Sequence, residues 1–330
     1  MSARARVVAV VGLVAAVAVA ATVLVAARGD DAGDGGARTG RPYLLLDLGV
    51  RTDAQARALR RAAQLYASGQ RAEAARIFDR YASPPARVGA AFASWPEGSV
   101  AAVERLAAEH PRDSFVLLHL GLARYWSGDD RGAVAAWLDA ARAEPDTLSA
   151  LRAEDFLQPQ PLPELVPTFV PSFAPPTEIR RLTPPRQLRA LERAARRPDV
   201  RAKLLYGLAL QRLGRQISAQ RQYAAAVRLA PGNAEARVAE ALSRFRKSDP
   251  TPAFSRLGPL TRRFPGEPTV RFHLGLALAW MGRLQEAERQ FRLARRIDPR
   301  DPLGREADRW LTRLEKERMD ETSRTHTPER

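Results

Sequence analysis

The sequence predicts an all-α protein, a solenoid of helical hairpins that follows one N-terminal transmembrane helix and is interrupted by a proline-rich insert. Three observations predict it. Prolines recur 34 residues apart, at Pro231, Pro265 and Pro299. An uncharged apolar run opens the chain, and a proline-rich stretch separates two blocks of the repeat. Self-similarity at a period of about 20–50 residues is typical of repeat architectures.

Residues 1–28 are predicted to form a transmembrane anchor. The run 7–27 contains 21 residues without a charge, and a helix of that length spans about 31 Å, close to the hydrocarbon thickness of a bilayer. Arginines precede the run and aspartates follow it, so the positive-inside rule favours a cytoplasmic N-terminus and an extracytoplasmic repeat domain. We therefore expect a single-pass protein of a bacterial inner (cell) membrane. A cleaved signal peptide, with a site near residues 18–20, is the alternative.

Two segments are predicted to lack a fixed fold. Residues 29–42 indicate a flexible linker, because the stretch GDDAGDGGARTGR is glycine-rich and polar. Residues 319–330 are polar and end in TPER, which favours a disordered tail.

The repeat is a fixed pattern of small, aromatic and proline positions. The last copy has them at Gly275, Gly282, Ala287, Phe291, Ala294 and Pro299. Two copies keep the identical spacing, at Gly207, Gly214, Ala219, Tyr223, Ala226 and Pro231 and at Gly121, Gly128, Ala133, Trp137, Ala140 and Pro145. A fourth copy is degenerate, with Ala241, Ser248, Ala253, Leu257, Leu260 and Pro265.

Each position has a physical role in a helical hairpin. The early small residue lets two helices approach closely, and the second glycine ends the first helix in a left-handed conformation. The aromatic residue fills the gap between the helices, while the proline cannot continue the second helix and marks the end of the unit.

This pattern resembles the tetratricopeptide repeat (TPR) family. Four repeats match, at residues 114–147, 200–233, 234–267 and 268–301, and two weaker units precede them. The resemblance implies a TPR-type solenoid with an N-terminal block at 43–147 and a C-terminal block at 198–318. The C-terminal block ends in a capping helix that contains Leu303, Ala307, Trp310, Leu311 and Leu314. The early Trp that is usual in the family is missing from every copy.

Residues 148–197 form the proline-rich insert between the blocks. Nine prolines between residues 159 and 185 exclude one continuous helix, yet Phe169, Val170 and Phe173 are apolar groups that a solvated spacer rarely carries. One interpretation is an extended strap packed against the solenoid. The other is a self-peptide lying in the groove, or a docking segment for a partner. The insert is similar to those of actinobacterial TPR proteins, a likeness that names no function.

The sequence offers no constellation for catalysis. Cysteine is absent, and no phosphate-binding glycine loop or nucleophile elbow is found. His119 and His273 each lie two residues before the early glycine of a repeat, and this equivalence predicts a packing or groove role rather than metal binding. We therefore expect no enzyme activity, no catalytic residue, no metal site, no cofactor and no small-molecule substrate.

The TPR resemblance implies that the first helices of the hairpins line a concave groove for peptides or helices. The groove residues that it implies are Phe115, Leu118, Leu122, Tyr125, Trp126, Arg201, Leu208, Arg212, Phe245, Arg246, Phe272 and Trp280. The same spacing also places Gln211 and Glu235 there. Aromatic and arginine side chains are enriched at binding hot spots, so the sequence predicts a membrane-anchored scaffold or adaptor for an unidentified protein or peptide partner.

The net charge of +16 keeps two alternatives open. Arginine supplies nearly all the positive charge, since the chain has only three lysines. One alternative is binding of an anionic polymer, a wall polymer or nucleic acid, through arginine-rich surfaces. The other is a non-catalytic subunit of an envelope or cytochrome assembly complex.

Overall fold

The computed structural model describes residues 36–158 and 166–325, with side chains up to residue 316. Within these ranges the regular secondary structure is entirely helical. The described residues divide into two compact units, unit 1 with residues 36–158 and unit 2 with residues 166–325. The apolar run 7–27, for which a transmembrane helix is predicted, lies outside the described residues. None of the described helices combines the length and the apolar character that a membrane crossing requires.

Unit 1 consists of three helical hairpins and one closing helix. Its helices are α1 (Ala54–Ala67), α2 (Arg71–Phe78), α3 (Pro84–Ala93), α4 (Ser99–Glu109), α5 (Ser114–Ser127), α6 (Asp130–Ala143) and α7 (Leu148–Leu157). The first helices of successive hairpins, α1, α3 and α5, are neighbours, and α7 packs on the last hairpin. Phe156 of α7 stacks on Trp137 with ring centroids 5.0 Å apart, so α7 closes the apolar end of the unit.

Unit 2 repeats this plan after a longer entry segment. Its helices are α8 (Thr177–Arg180), α9 (Pro184–Ala195), α10 (Val200–Arg212), α11 (Gln216–Leu229), α12 (Ala234–Leu242), α13 (Thr251–Arg263), α14 (Pro268–Trp280), α15 (Leu284–Ile297) and α16 (Pro302–Thr325). The hairpins are α10–α11, α12–α13 and α14–α15, whose first helices are again neighbours. Helix α16 packs on α15 and α14 and buries the four apolar residues Leu303, Ala307, Leu311 and Leu314.

The repeat positions do what their spacing predicts. Gly128, Gly214 and Gly282 have φ values of 96°, 73° and 73°, the left-handed conformation that closes each hairpin between its helices. The aromatic positions Trp137, Tyr223 and Phe291 are buried and lie directly on the early glycines. A Cβ on Gly275 would lie 2.7 Å from Phe291, too close for any side chain. The four repeat prolines each follow the last helical residue by two positions.

Two stretches contain more helix than their composition suggests. The proline-rich insert, 148–197, includes α7, α8 and α9, because Thr147 caps α7 through its side chain and the prolines of α9 occupy its first turn, where proline is tolerated. Helix α16 extends to Thr325, into the segment for which a disordered tail is predicted, since Glu, Lys, Arg and Met are good helix formers.

Candidate functional site

In unit 2, an extended segment lies across the first helices of the hairpins. This segment, strap 2, comprises residues 166–174, VPTFVPSFA. The backbone N–H of Phe169 donates to the Gln211 side-chain oxygen at 3.1 Å, and that of Val170 donates to His273 Nε2 at 2.9 Å. Gln211 lies near the C-terminal end of α10 and His273 lies on α14, so strap 2 bridges the first and third hairpins.

A third contact comes from the middle hairpin. The N–H of Ser172 donates to Glu235 Oε1 at 2.6 Å, and Glu235 lies in the first turn of α12. Burial raises the pKa of the Glu235 carboxyl, and the Ser172 hydrogen bonds oppose that rise. Next along the strap, the guanidinium of Arg201 lies 5.0 Å from the centre of the Phe173 ring, within the range of a cation–π contact. Each of the three first helices therefore supplies one acceptor to the strap backbone.

The side chain of Phe169 anchors strap 2. It is fully buried, stacked on His273 with ring centroids 5.2 Å apart and set edge-on against Tyr223 at 5.7 Å. The Tyr223 hydroxyl donates to the same Gln211 oxygen that binds the strap, at 2.8 Å. Tyr223 therefore orients the Gln211 carboxamide with its oxygen toward the strap, and a packed ring and a backbone hydrogen bond meet at one point.

His273 acts as a neutral acceptor. Its Nδ1 lies 2.7 Å from the carbonyl oxygen of Thr269, and because that oxygen can only accept, Nδ1 carries the proton. Nε2 then presents its lone pair to the Val170 N–H. Burial lowers the pKa of His273 to about 4, which keeps the ring in this neutral state at ordinary pH.

Unit 1 has the same arrangement. Its extended segment, strap 1, comprises residues 38–48, and the N–H of Leu45 donates to His119 Nε2 at 3.1 Å. His119 Nδ1 lies 2.7 Å from the carbonyl oxygen of Phe115, one helical turn earlier. The ring is fully buried, and its pKa is lowered to about 3, mainly by burial. Both histidines lie on the first helix of the third hairpin of their unit.

The N-terminal end of strap 1 is additionally held by Arg38. Its backbone N–H donates to the carbonyl oxygen of Trp126 at 3.0 Å, and its guanidinium forms an ion pair with Asp130 at 2.8 Å. The same guanidinium lies 3.7 Å from the centre of the Tyr125 ring and donates to the Tyr125 carbonyl oxygen. Arg38 belongs to the segment 29–42, which the sequence assigns to a linker, so its final residues are part of the folded unit.

Further contacts fix the middle of strap 1. The Tyr66 hydroxyl donates to the carbonyl oxygen of Pro42 at 2.6 Å, and the Tyr43 ring meets Trp126 edge-on at 6.0 Å. Tyr66 precedes its hairpin glycine by three residues, as Gln211 does in unit 2. The two straps are therefore held at two equivalent repeat positions. One is the position of Tyr66 and Gln211 on the first hairpin of each unit, and the other is the position of the histidine on the third hairpin.

The structure divides the groove residues implied by the sequence into three groups. Seven are buried, which are Phe115, Leu118, Leu122, Tyr125, Leu208, Phe245 and Phe272. Trp126, Arg246 and Trp280 are half-buried, and Arg201 and Arg212 are exposed. Several of the twelve thus contact other parts of their own unit, and a role for any of them in binding a partner stays a prediction.

Strap 1 has no counterpart among the sequence predictions. The signal for it is the run PYLLLDLG at residues 42–49, which is apolar, too short for a hairpin and bounded by proline and glycine. Strap 2 has the same character. In the described part of the chain, no group of three or more His, Cys, Asp or Glu side chains is placed to hold a metal ion.

Comparisons with known proteins find only distant structural likeness. No protein-family model and no curated protein matches the chain. Similar solved structures are those of TPR-repeat proteins. Yeast Tom70 is 14% identical with a TM-score of 0.31, covering 79% of this chain and 48% of that chain, so this chain spans about half its length. The TPR2AB domain of yeast Sti1, in complex with pHSP90, is 12% identical with a TM-score of 0.30, covering 79% of this chain and 98% of that chain.

The third comparison is bacterial. The C-terminal part of a TPR repeat-containing protein from Cytophaga hutchinsonii is 14% identical with a TM-score of 0.28, covering 76% of this chain and 98% of that chain. Such low identities and TM-scores carry no argument about the fold, the function or a partner of this chain.

Proposed function

We propose that this protein is a non-catalytic, membrane-anchored scaffold that binds extended segments of a partner protein on the first helices of its hairpins. One observation carries the proposal: in each unit an extended chain already lies on that face, with a backbone N–H bound to a buried neutral histidine. A surface that holds its own chain through backbone groups has the chemistry to hold another chain.

The anchor in this proposal is the uncharged run 7–27. Its length suits a bilayer, and the arginines before it favour a cytoplasmic N-terminus, so the two units would face the exterior of a bacterial inner membrane. Tethering raises the local concentration of the scaffold at the membrane surface, which strengthens capture of a membrane-associated partner without any new contact.

The test is a pull-down of the full-length protein from membranes of its native host, at low and at high salt. A stoichiometric protein partner that survives high salt supports the scaffold. Arg201→Ala, on the strap-bearing face, should reduce the yield of that partner. Arg221→Ala is the matched control, because Arg221 is exposed on the second helix α11.

The same experiment addresses the anionic-polymer alternative. Binding through phosphates or other repeated anions weakens steeply with salt, because counterions are released on association. If the pull-down recovers only an anionic polymer that is lost at high salt, and if Arg201→Ala and Arg221→Ala reduce its yield equally, polymer binding replaces the scaffold as the proposed function.

A further inference from the structure

We propose that strap 2 is a self-ligand: it occupies the peptide site of unit 2 and is replaced by a partner segment that carries the same backbone pattern. This inference rests on the proposed scaffold function and specifies the ligand. The partner is an extended, proline-containing peptide of the form aromatic–x–Pro–x–aromatic, as in residues 169–173, FVPSF.

The backbone contacts define the first part of this pattern. The side chains that bind the strap backbone, Gln211, His273 and Glu235, act as acceptors, so the ligand must bring N–H groups at the positions of Phe169, Val170 and Ser172. Proline lacks an N–H and is therefore excluded from those three positions. It is accepted at Pro171, between the second and third donors, where it favours an extended chain.

The side-chain contacts define the second part. The site of Phe169 is enclosed by the rings of His273 and Tyr223 and leaves the phenyl ring no exposure to solvent. An aromatic side chain at this position can stack on His273 and meet the Tyr223 ring edge-on. The position of Phe173 is open on one side and faces Arg201, which favours a second aromatic ring through a cation–π contact.

The difference between the straps indicates which one is replaceable. Strap 1 has the Arg38–Asp130 ion pair in addition to its backbone contacts. Strap 2, VPTFVPSFA, has no ionisable side chain. Its contacts are hydrogen bonds from backbone N–H groups and from the Ser172 side chain, packing of apolar rings and the cation–π contact of Phe173. Another peptide of the same pattern can reproduce all of them. A tethered strap acts at an effective concentration on the order of millimolar, so a partner held at the same membrane can compete with it.

The test uses the full-length chain and a fluorescein-labelled peptide VPTFVPSFAPP, residues 166–176, followed by fluorescence anisotropy. Phe169→Ala weakens the self-ligand and leaves the site intact. This variant should bind the peptide on the order of 100-fold more tightly than the unaltered chain, because the large buried contact of the competing strap is lost. Leu44→Ala, a matched change in strap 1, should leave the affinity unchanged.

Two altered peptides test the pattern itself. A peptide with Ala in place of the first phenylalanine, and one N-methylated at the valine that follows it, should each bind the Phe169→Ala chain at least about tenfold more weakly. If Phe169→Ala does not fold, Ser172→Pro serves instead, because it removes the N–H and the hydroxyl that bind Glu235 and leaves the Phe169 ring in place.

The outcomes separate this proposal from the scaffold function. A folded strap variant that binds the peptide no better than the unaltered chain overturns the self-ligand and makes strap 2 a permanent part of the fold. Equal binding of the altered peptides also overturns it, since the contacts would then carry no recognition. The anisotropy experiment needs no cellular partner, whereas a pull-down without a salt-resistant protein would overturn the scaffold alone.

Discussion

His119 and His273 make the same hydrogen-bond arrangement in two separate units. Each ring has its Nδ1 2.7 Å from a backbone carbonyl oxygen one turn earlier. Each accepts a backbone N–H from an extended segment through Nε2, from Leu45 and Val170 respectively. A neutral, buried imidazole is therefore the common element by which both units hold an irregular stretch of chain against their helices.

His273→Ala should destabilise unit 2 by roughly 2–4 kcal/mol. The substitution removes the ring on which Phe169 stacks and leaves the Val170 N–H without its acceptor, so a cavity cost and an unpaired donor add. Urea unfolding followed by circular dichroism measures the change. His110→Ala is the control, since His110 lies at the end of α4 and is not fully buried. An equal loss of stability in this control would show that the contacts of His273 with strap 2 do not stabilise unit 2.

The stability of both units should decrease as the pH falls below about 6.5. An imidazole in the unfolded chain takes up its proton near that pH, whereas His273 and His119 stay neutral in the folded units down to about 4 and about 3. In this window the unfolded state binds more protons, so the free energy of unfolding falls by up to about 1.4 kcal/mol per pH unit for each histidine.

Urea unfolding at about pH 7, 6 and 5 checks this pH dependence. Above about pH 6.5 the contribution of each histidine is fully present. His273→Gln keeps a side-chain acceptor but does not titrate, so it should reduce the slope by about half. An unchanged slope in that variant would assign the pH dependence to other groups.

Gly275→Ala should destabilise unit 2 by roughly 1–3 kcal/mol through overpacking. The added Cβ would lie 2.7 Å from the Phe291 ring, whereas a Cβ on Gly258 of α13 meets nothing within 4 Å. Gly258→Ala is therefore the matched control and should be neutral or stabilise by up to about 1 kcal/mol, because alanine favours a helix more than glycine does. Thermal unfolding measures the stability of the two variants. Equal changes in stability would disprove the close approach of Phe291 to Gly275.

Arg38→Ala should release the N-terminal end of strap 1. The substitution removes the pair with Asp130 and the contact with the Tyr125 ring, which together are worth about 1 kcal/mol at a partly exposed site. Hydrogen exchange read by mass spectrometry should show strap 1 amides exchanging several-fold faster. The Val170 amide in unit 2 should be unaffected. Arg51→Ala, which breaks an exposed pair with Asp53, should change neither.

Much of the helical framework was predictable because it depends on local spacing. Gly207, Tyr223 and Pro231 recur with their counterparts at fixed offsets, and each offset corresponds to a contact within one hairpin or to its end. Such contacts join residues that are close in sequence, so the repeat can be recognised from the amino-acid sequence alone. The scaffold hypothesis followed from the same period.

The proline-rich insert, with its apolar residues, favoured an extended strap at strap 2. The contacts of both straps, and strap 1 itself, were not predictable in this way, because these contacts are long-range. Leu45 binds His119 and Val170 binds His273, and the residues of each pair lie 74 and 103 positions apart in the sequence. A repeat of 34 residues gives no sign of such contacts. The sequence by itself determined the hairpins, their closing glycines and the equivalence of the two histidines. Only the tertiary structure decided what those histidines bind, since a backbone N–H is the same in every residue except proline and leaves no mark in the sequence.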